Sequence, residues 1–307
     1  MAKVSILIPC RDTEEHINKT VKNIYENATG DFEVIIGYDG DHFWALENDY
    51  PNLREFCADG DVGLKIKINA LASMATGKYI FKVDSHCAFG KGFDEILQAD
   101  MQEDWIVMPR FKIIKDDWSI QMRDGQEEFY DYFYLSCPFT DRRGFRFKAG
   151  GHWPERTQER NPEISSVESW AKTTGIDLWI DETPQIHGSG WFMTRDRFFK
   201  LGGFPNYDPH GHAQEPLWLA LRNWTEGGKV MVNKKTWYAH LHQDSKNRVY
   251  AENKEETEYT YNWTADFWVK HPKFEWFIDK FMPMPTWPEN WRELVKKYRE
   301  EGNGKTL

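Results

Sequence analysis

Hydrophobic and polar residues alternate along the first hundred positions in blocks that change period. Residues 4–8 (VSILI) form a short β-branched apolar run, as a buried parallel strand requires. Thr13 then precedes Glu14, Glu15 and His16, with Ile17, Val21 and Ile24 at helical spacing, which predicts an N-capped helix. Residues 32–36 (FEVII) predict a second strand, ending in an Asp- and Gly-rich turn at Asp39 to Asp41. Residues 64–68 predict a third strand and 70–75 (ALASMA) a helix, with Gly77 as its C-cap. Residues 79–83 (YIFKV) predict a further strand that runs straight into Asp84, Ser85 and His86. Such alternation implies an α/β fold with a parallel sheet, in which ligands sit beyond the carboxyl ends of the strands. The polar residues that follow each strand therefore carry the interest. From about Met108 to Asp181 the pattern is less regular, a second ordered block spans 188–224, and 229–232 predict another strand. The last sixty residues begin polar and become rich in tryptophan.

Composition narrows the field. The 307 residues carry a formal net charge of -10, which argues against a protein that coats nucleic acid with its whole surface but leaves room for one basic groove. No apolar run approaches the roughly 18–20 residues that span a bilayer, and the opening MAKVSILIPC lacks the long apolar core of a signal peptide. The four cysteines (Cys10, Cys57, Cys87, Cys137) are widely spaced, as suits free thiols in a reducing cytoplasm, whether of a bacterium or of a virus-infected host. Aromatic residues make up 16 % of the chain, enough for a ring-rich core or for a groove that takes flat ligands.

The chemistry concentrates at Asp84-Ser85-His86. Residues i and i+2 of an extended segment project to one side, so this carboxylate and imidazole can grip one cation, Mn²⁺ better than Mg²⁺. Asp39 can accept hydrogen bonds from a base or ribose, or cap its own turn, with Pro9, Arg11 and Asp12 forming the facing wall. Glu215 opens a helix in the sequence Gln-Glu-Pro, where it can serve the helix dipole or act as a general base.

The stretch 63–97, with Asp-Ser-His-Cys at its centre, resembles the metal-binding region of GT-A glycosyltransferases, both family 2 and the polypeptide N-acetylgalactosaminyltransferases. Segments 5–12 and 34–41 are similar to the nucleotide-holding segments of family 2, and 188–224 to the stretch leading to the acceptor-site acidic motif. The resemblance implies a GT-A fold, a Rossmann-like parallel or mixed sheet flanked by helices, with a helical Trp-rich extension. Residues 1–245 would form the transferase domain (1–107 the nucleotide-sugar half, 108–245 the acceptor half) and 246–307 the extension. It implies a nucleotide-diphosphate sugar donor, with UDP as the family expectation. Asp84 and His86 become metal ligands, Glu215 the motif glutamate, and His240 in 236–243 (TWYAHLHQ) the third ligand, with His242 competing for that role. His210 and His212 fall in the acceptor loop. The Asp-Ser-His-Cys and Ala-His segments look like retaining enzymes, whereas the opening and Gln-Glu-Pro look like inverting ones. Ile68-Asn69 stands where many family 2 members have Arg-Asn, which leaves Lys65 or Lys67 to take over a phosphate contact.

The segment 137–156 interleaves Arg142, Arg143, Arg146 and Lys148 with Phe145, Phe147 and Trp153. Cations among aromatics suit a polyanionic acceptor such as hydroxymethylated DNA; a glycan is the other candidate. The competing functions are a metal-dependent hydrolase or nucleotidyltransferase built from the same His and Asp set, and a non-catalytic carbohydrate-binding protein.

Overall fold

The computed structural model describes residues 4–11, 15–39, 46–58, 60, 62–148, 151–205, 214–242 and 254–302. The first half builds β1 (Val4–Arg11), α1 (Ile17–Asn27), β2 (Phe32–Asp39), β3 (Leu53–Ala58), α2 (Leu64–Met74), β4 (Tyr79–Val83), β5 (Cys87–Phe89), α3 (Phe93–Ala99) and β6 (Trp105–Ile114). A run of two-residue strands follows: β7 (Met122–Arg123), β8 (Gln126–Glu127), β9 (Phe129–Tyr130), β10 (Phe133–Tyr134) and β11 (Gly151–His152). Then come α4 (Pro154–Glu159), α5 (Ser165–Thr174), β12 (Ile180–Glu182), β13 (Gly190–Thr194), α6 (Arg195–Lys200), α7 (Glu215–Thr225) and β14 (Lys229–Leu241). Three helices end the described chain, α8 (Lys254–Lys270), α9 (Phe274–Phe281) and α10 (Trp291–Glu301).

The main sheet runs β12-β14-β6-β13-β4-β1-β2-β3, with β5 added beside β14 and β9 beside β6. Strands β4, β1, β2 and β3 are parallel to one another, as are β6 and β14, while β13 lies antiparallel between β4 and β6. The reversal at β13 matters for the site. An antiparallel β13 brings its own beginning, Gly188 and Ser189, to the carboxyl end of β4, where Asp84 N–H donates to Ser189 C=O at 3.0 Å. Strands β1, β2 and β4 are buried along all but one terminal residue each, as a sheet covered on both faces demands.

Three local expectations are corrected. Residues 64–68 are the first turns of α2 and not a strand, and the C-cap is Ala75, not Gly77. The alternation Leu64-Lys65-Ile66-Lys67-Ile68 mimics a strand because both lysines are buried, so the polar positions do not mark a solvent face. The parallel partner of β2 is instead β3, a half-exposed edge strand (LREFCA) with too little apolar pattern to stand out. Helix α1 begins at Ile17 with His16 at its cap and no side-chain capping bond; Thr13 lies outside the described residues.

The C-terminal helices pack into the same apolar core as the sheet. Trp218 of α7 meets the rings of Trp263, Phe267 and Trp268 of α8 at 5.4, 4.9 and 5.3 Å between centroids. Trp287 donates its indole N–H to Leu135 C=O at 2.6 Å, and Tyr298 of α10 stacks on Phe145 at 4.3 Å. The contacts with α8 brace α7, whose first residue is Glu215. Trp268 is fully buried, so Trp268→Ala is expected to cost about 3–5 kcal/mol in urea unfolding, the usual loss for a large ring removed from a packed core.

None of the four cysteines is in a disulfide; three are buried and Cys57 is exposed. Among the described residues no helix is long and apolar enough to cross a membrane.

Candidate active site

Asp84-Ser85-His86 occupies a tight turn between β4 and β5, not the extended segment expected from the sequence. Helix α1 fixes that turn: Thr20 donates its hydroxyl to Ser85 C=O at 2.7 Å and accepts from Cys87 N–H at 3.0 Å, and Asn23 accepts from Phe89 N–H at 2.7 Å. Strand β5 then pairs antiparallel with the end of β14, placing Cys87 opposite His240, with Leu241 N–H donating to His86 C=O at 3.1 Å. Two segments more than 150 positions apart in sequence are thereby zipped together. Asp84, His86 and His240 each offer one ligand atom, and these atoms lie within 4.8 Å of one another. His240 Nε2 stands 3.2 Å from Asp84 Oδ2, and the His86 and His240 rings are 4.6 Å apart. His242, the alternative third ligand, is exposed; its ring stands 4.9 Å from that of His240 and outside this trio.

Asp84 and His240 stand in the protonation states that a cation requires. Burial works to raise the Asp84 carboxyl, but the Lys82 ammonium and the contact with His240 outweigh it and hold the group well below the usual carboxylate range. Burial drives His240 down to about 3, so its ring is neutral. Neither ring nitrogen of His240 makes an aligned hydrogen bond among the described residues, although the side chain is buried. An ionised carboxylate beside the neutral His240 imidazole, with the His86 ring next to both, fits a divalent cation of the Mn²⁺ type.

On the donor side, Asp39 ends β2 opposite Arg11 at the end of β1. It is buried between Lys67 Nζ at 2.7 Å and Arg11 Nε at 3.8 Å, and Lys67 also donates to Cys10 C=O at 2.8 Å. Lys67 is thus an internal clamp reaching from α2 to the carboxyl ends of β1 and β2. Pro9 lies in β1 opposite Gly37, next to this clamp. Asp12, Asp41, His210 and His212 lie outside the described residues.

Glu215 opens α7 just after Gln214, which adopts a left-handed conformation (φ 73°) that few non-glycine residues take. Burial pushes the Glu215 carboxyl up to about 7, against the pull of Lys82 and Lys65. Its Oε2 has no hydrogen-bond partner among the described residues. Gly188 leaves room for it, since a Cβ there would sit 2.9 Å from Glu215 Oε1.

Sequence reasoning missed Lys82, which is almost fully buried and bonds both Asp84 Oδ1 and, at 2.7 Å, Gly188 C=O. It also missed His187, whose Nδ1 lies 2.6 Å from the Ser189 hydroxyl and whose ring stacks on Phe111 at 4.6 Å. The basic–aromatic segment is divided between the core and the surface. Arg146 is buried against Glu258 and over the Tyr261 ring at 3.6 Å, Phe147 and Trp153 are core residues, and Arg143 is held by Asp141. Arg142, Arg143 and Lys148 stay exposed and line the wall of a cavity of about 470 Å³ with Thr140 and Thr286.

A mostly parallel sheet flanked by helices, with an acidic-histidine turn at the carboxyl end of β4, defines the GT-A class of glycosyltransferase architecture. Residues 5–158 match the family described as Glycosyl transferase family 2, and the chain belongs to that family. A Drosophila melanogaster protein named "Putative polypeptide N-acetylgalactosaminyltransferase 13" is 26 % identical over 173 residues, which are 56 % of this chain and 26 % of that protein. The chain therefore spans about a quarter of the length of that curated relative. Among solved structures, GalNAc-T7 with UDP, GalNAc and Mn²⁺ superimposes with a TM-score of 0.65 at 14 % identity, covering 98 % of this chain and 56 % of that one. TarS of S. aureus gives 0.50 at 12 % identity, covering 98 % and 53 %. Both likenesses are of fold.

Proposed function

We propose that the chain is a metal-dependent glycosyltransferase that moves a sugar from a nucleotide-diphosphate sugar, a UDP-sugar, to an acceptor hydroxyl. The observation that carries this reading is the convergence of Asp84, His86 and His240 at the carboxyl end of the sheet. A divalent cation bound there supplies Lewis-acid neutralisation of the leaving diphosphate. Pro9, Arg11 and Asp39, organised by Lys67, form the donor wall, and Asp12 is assigned to the donor by the sequence resemblance alone; Asp39 accepts hydrogen bonds from base or ribose. Glu215 faces the acceptor. A buried carboxylate with a raised pKa and an unpartnered oxygen suits removal of the acceptor proton, the task of a general base in a direct displacement. Fold likeness to a UDP- and Mn²⁺-bound transferase supports the donor class, though only as analogy. In this reading residues 1–245 are the catalytic unit, 1–107 holding donor and 108–245 acceptor, and 246–307 are the extension, whose helix α8 packs on α7.

A thermal-shift series tests the proposal. UDP with Mn²⁺ is expected to raise the unfolding temperature beyond the sum of either alone, because a ternary site stabilises the fold by linkage. Radiolabelled UDP-sugars offered with glycans and with hydroxymethylated DNA then identify the acceptor. A protein that neither gains stability from UDP with Mn²⁺ nor transfers or hydrolyses any UDP-sugar contradicts the proposal.

A further inference from the structure

The least expected residue in the site is Lys82. It sits in the middle of the sheet, opposite Leu7 of β1 and Trp191 of β13, and is 1 % exposed. A lysine so placed costs several kcal/mol in desolvation unless it is paired, and here it is paired with Asp84, the only carboxylate of the ligand trio. Its other partner is the Gly188 carbonyl at 2.7 Å. The ammonium is tied to Asp84 Oδ1, while Asp84 Oδ2 faces His240 at 3.2 Å. One oxygen of Asp84 is thus consumed by an internal cation and the other is left toward the imidazoles.

We propose that Lys82 is a positioning residue that makes cation binding conditional on the donor. Asp84 is the one carboxylate of the ligand set, and its charge is already offset by the buried Lys82 side chain bonded to it. Cation affinity follows the number of uncompensated anionic ligands, so this site holds a divalent ion weakly by itself. The diphosphate of the donor brings the missing negative charge, and ion and nucleotide enter as mutually dependent ligands, by reciprocal linkage. Lys82 also restricts Asp84 to ligation through one oxygen. The inference rests on the donor-site reading above and adds to it the residue that sets the coupling.

The test is Mn²⁺ binding, followed by the electron paramagnetic resonance signal of free Mn²⁺, in the wild type, Lys82→Met and Lys82→Gln, each with and without UDP. Methionine removes the charge and fills the buried volume; glutamine removes the charge and keeps a donor for Asp84. Both variants are expected to bind Mn²⁺ alone at least tenfold more tightly than the wild type, with the enhancement by UDP reduced by a similar factor. Thermal unfolding verifies that each variant is folded. Unchanged or weakened Mn²⁺ affinity in the folded variants, in the absence of UDP, overturns the role given to Lys82 while leaving the donor site intact. A wild type that binds no Mn²⁺ even with UDP present removes the donor-site reading, and this inference with it.

Discussion

Glutamine in place of Glu215 is expected to lower transfer by about 10²–10⁴-fold, the usual contribution of a positioned general base, while UDP still binds with Mn²⁺ as in the wild type. The substitution keeps the shape of the side chain and removes only its capacity to take a proton, so a loss confined to turnover separates a base from a substrate-binding glutamate. The same variant has a thermodynamic signature. The folded-state pKa of about 7 lies above the ordinary value of 4.5, so the fold disfavours the ionised form. That penalty is absent below about pH 4.5, grows between 4.5 and 7, and is complete above 7. A tenfold change in an ionisation constant corresponds to about 1.4 kcal/mol, so Glu215→Gln is expected to be more stable than the wild type by about 3 kcal/mol at pH 8 and equal to it near pH 4. Denaturant unfolding in a chelating buffer at the two pH values measures the difference. Equal stability at pH 8 would mean that Glu215 is not desolvated as the structure has it.

The second large effect is expected at His240. His240→Ala removes one of three ligands and should abolish the Mn²⁺-dependent part of stabilisation by UDP. Transfer should fall by more than about 100-fold, beyond the 10–100-fold that loss of an orienting group costs. The fold should survive, because strand β14 continues to pair with β5 and β6 through its backbone. His242→Ala serves as the comparison, since that imidazole is exposed and outside the trio. If the two substitutions had equal effects on Mn²⁺-dependent UDP binding, the assignment of ligands would be wrong.

Much of this arrangement is legible in the amino-acid sequence. The apolar runs at 4–8, 32–36 and 79–83 are visible because a strand buried on both faces has few polar positions to obscure it. Asp84 and His86 stand out by type and by their place after such a run. His240 is legible only through family resemblance, and Glu215 needs that resemblance to be chosen over a helix-start role, since a glutamate before proline and a histidine in a β-rich segment have ordinary structural uses. What stays hidden is long-range pairing. Nothing in Cys87–Phe89 announces that these three residues will pair with β14, yet that pairing is what brings His86 beside His240. Buried lysines mislead for a related reason. Lys65 and Lys67 create a false two-residue period in α2, and Lys82 in YIFKV looks like the solvent side of a strand, because hydropathy cannot anticipate an internal carboxylate partner. The basic–aromatic segment misleads in the opposite direction: Arg146 and Phe147 look like a binding surface and are consumed by α8 and the core.

The central claim, a cation held by one carboxylate and two imidazoles, is tested most directly by electron spin-echo spectroscopy of Mn²⁺ in the UDP-bound protein. Two imidazole ¹⁴N couplings are expected, one lost in His86→Ala and the other in His240→Ala. A spectrum without ¹⁴N couplings, or one that neither substitution alters, would contradict the account.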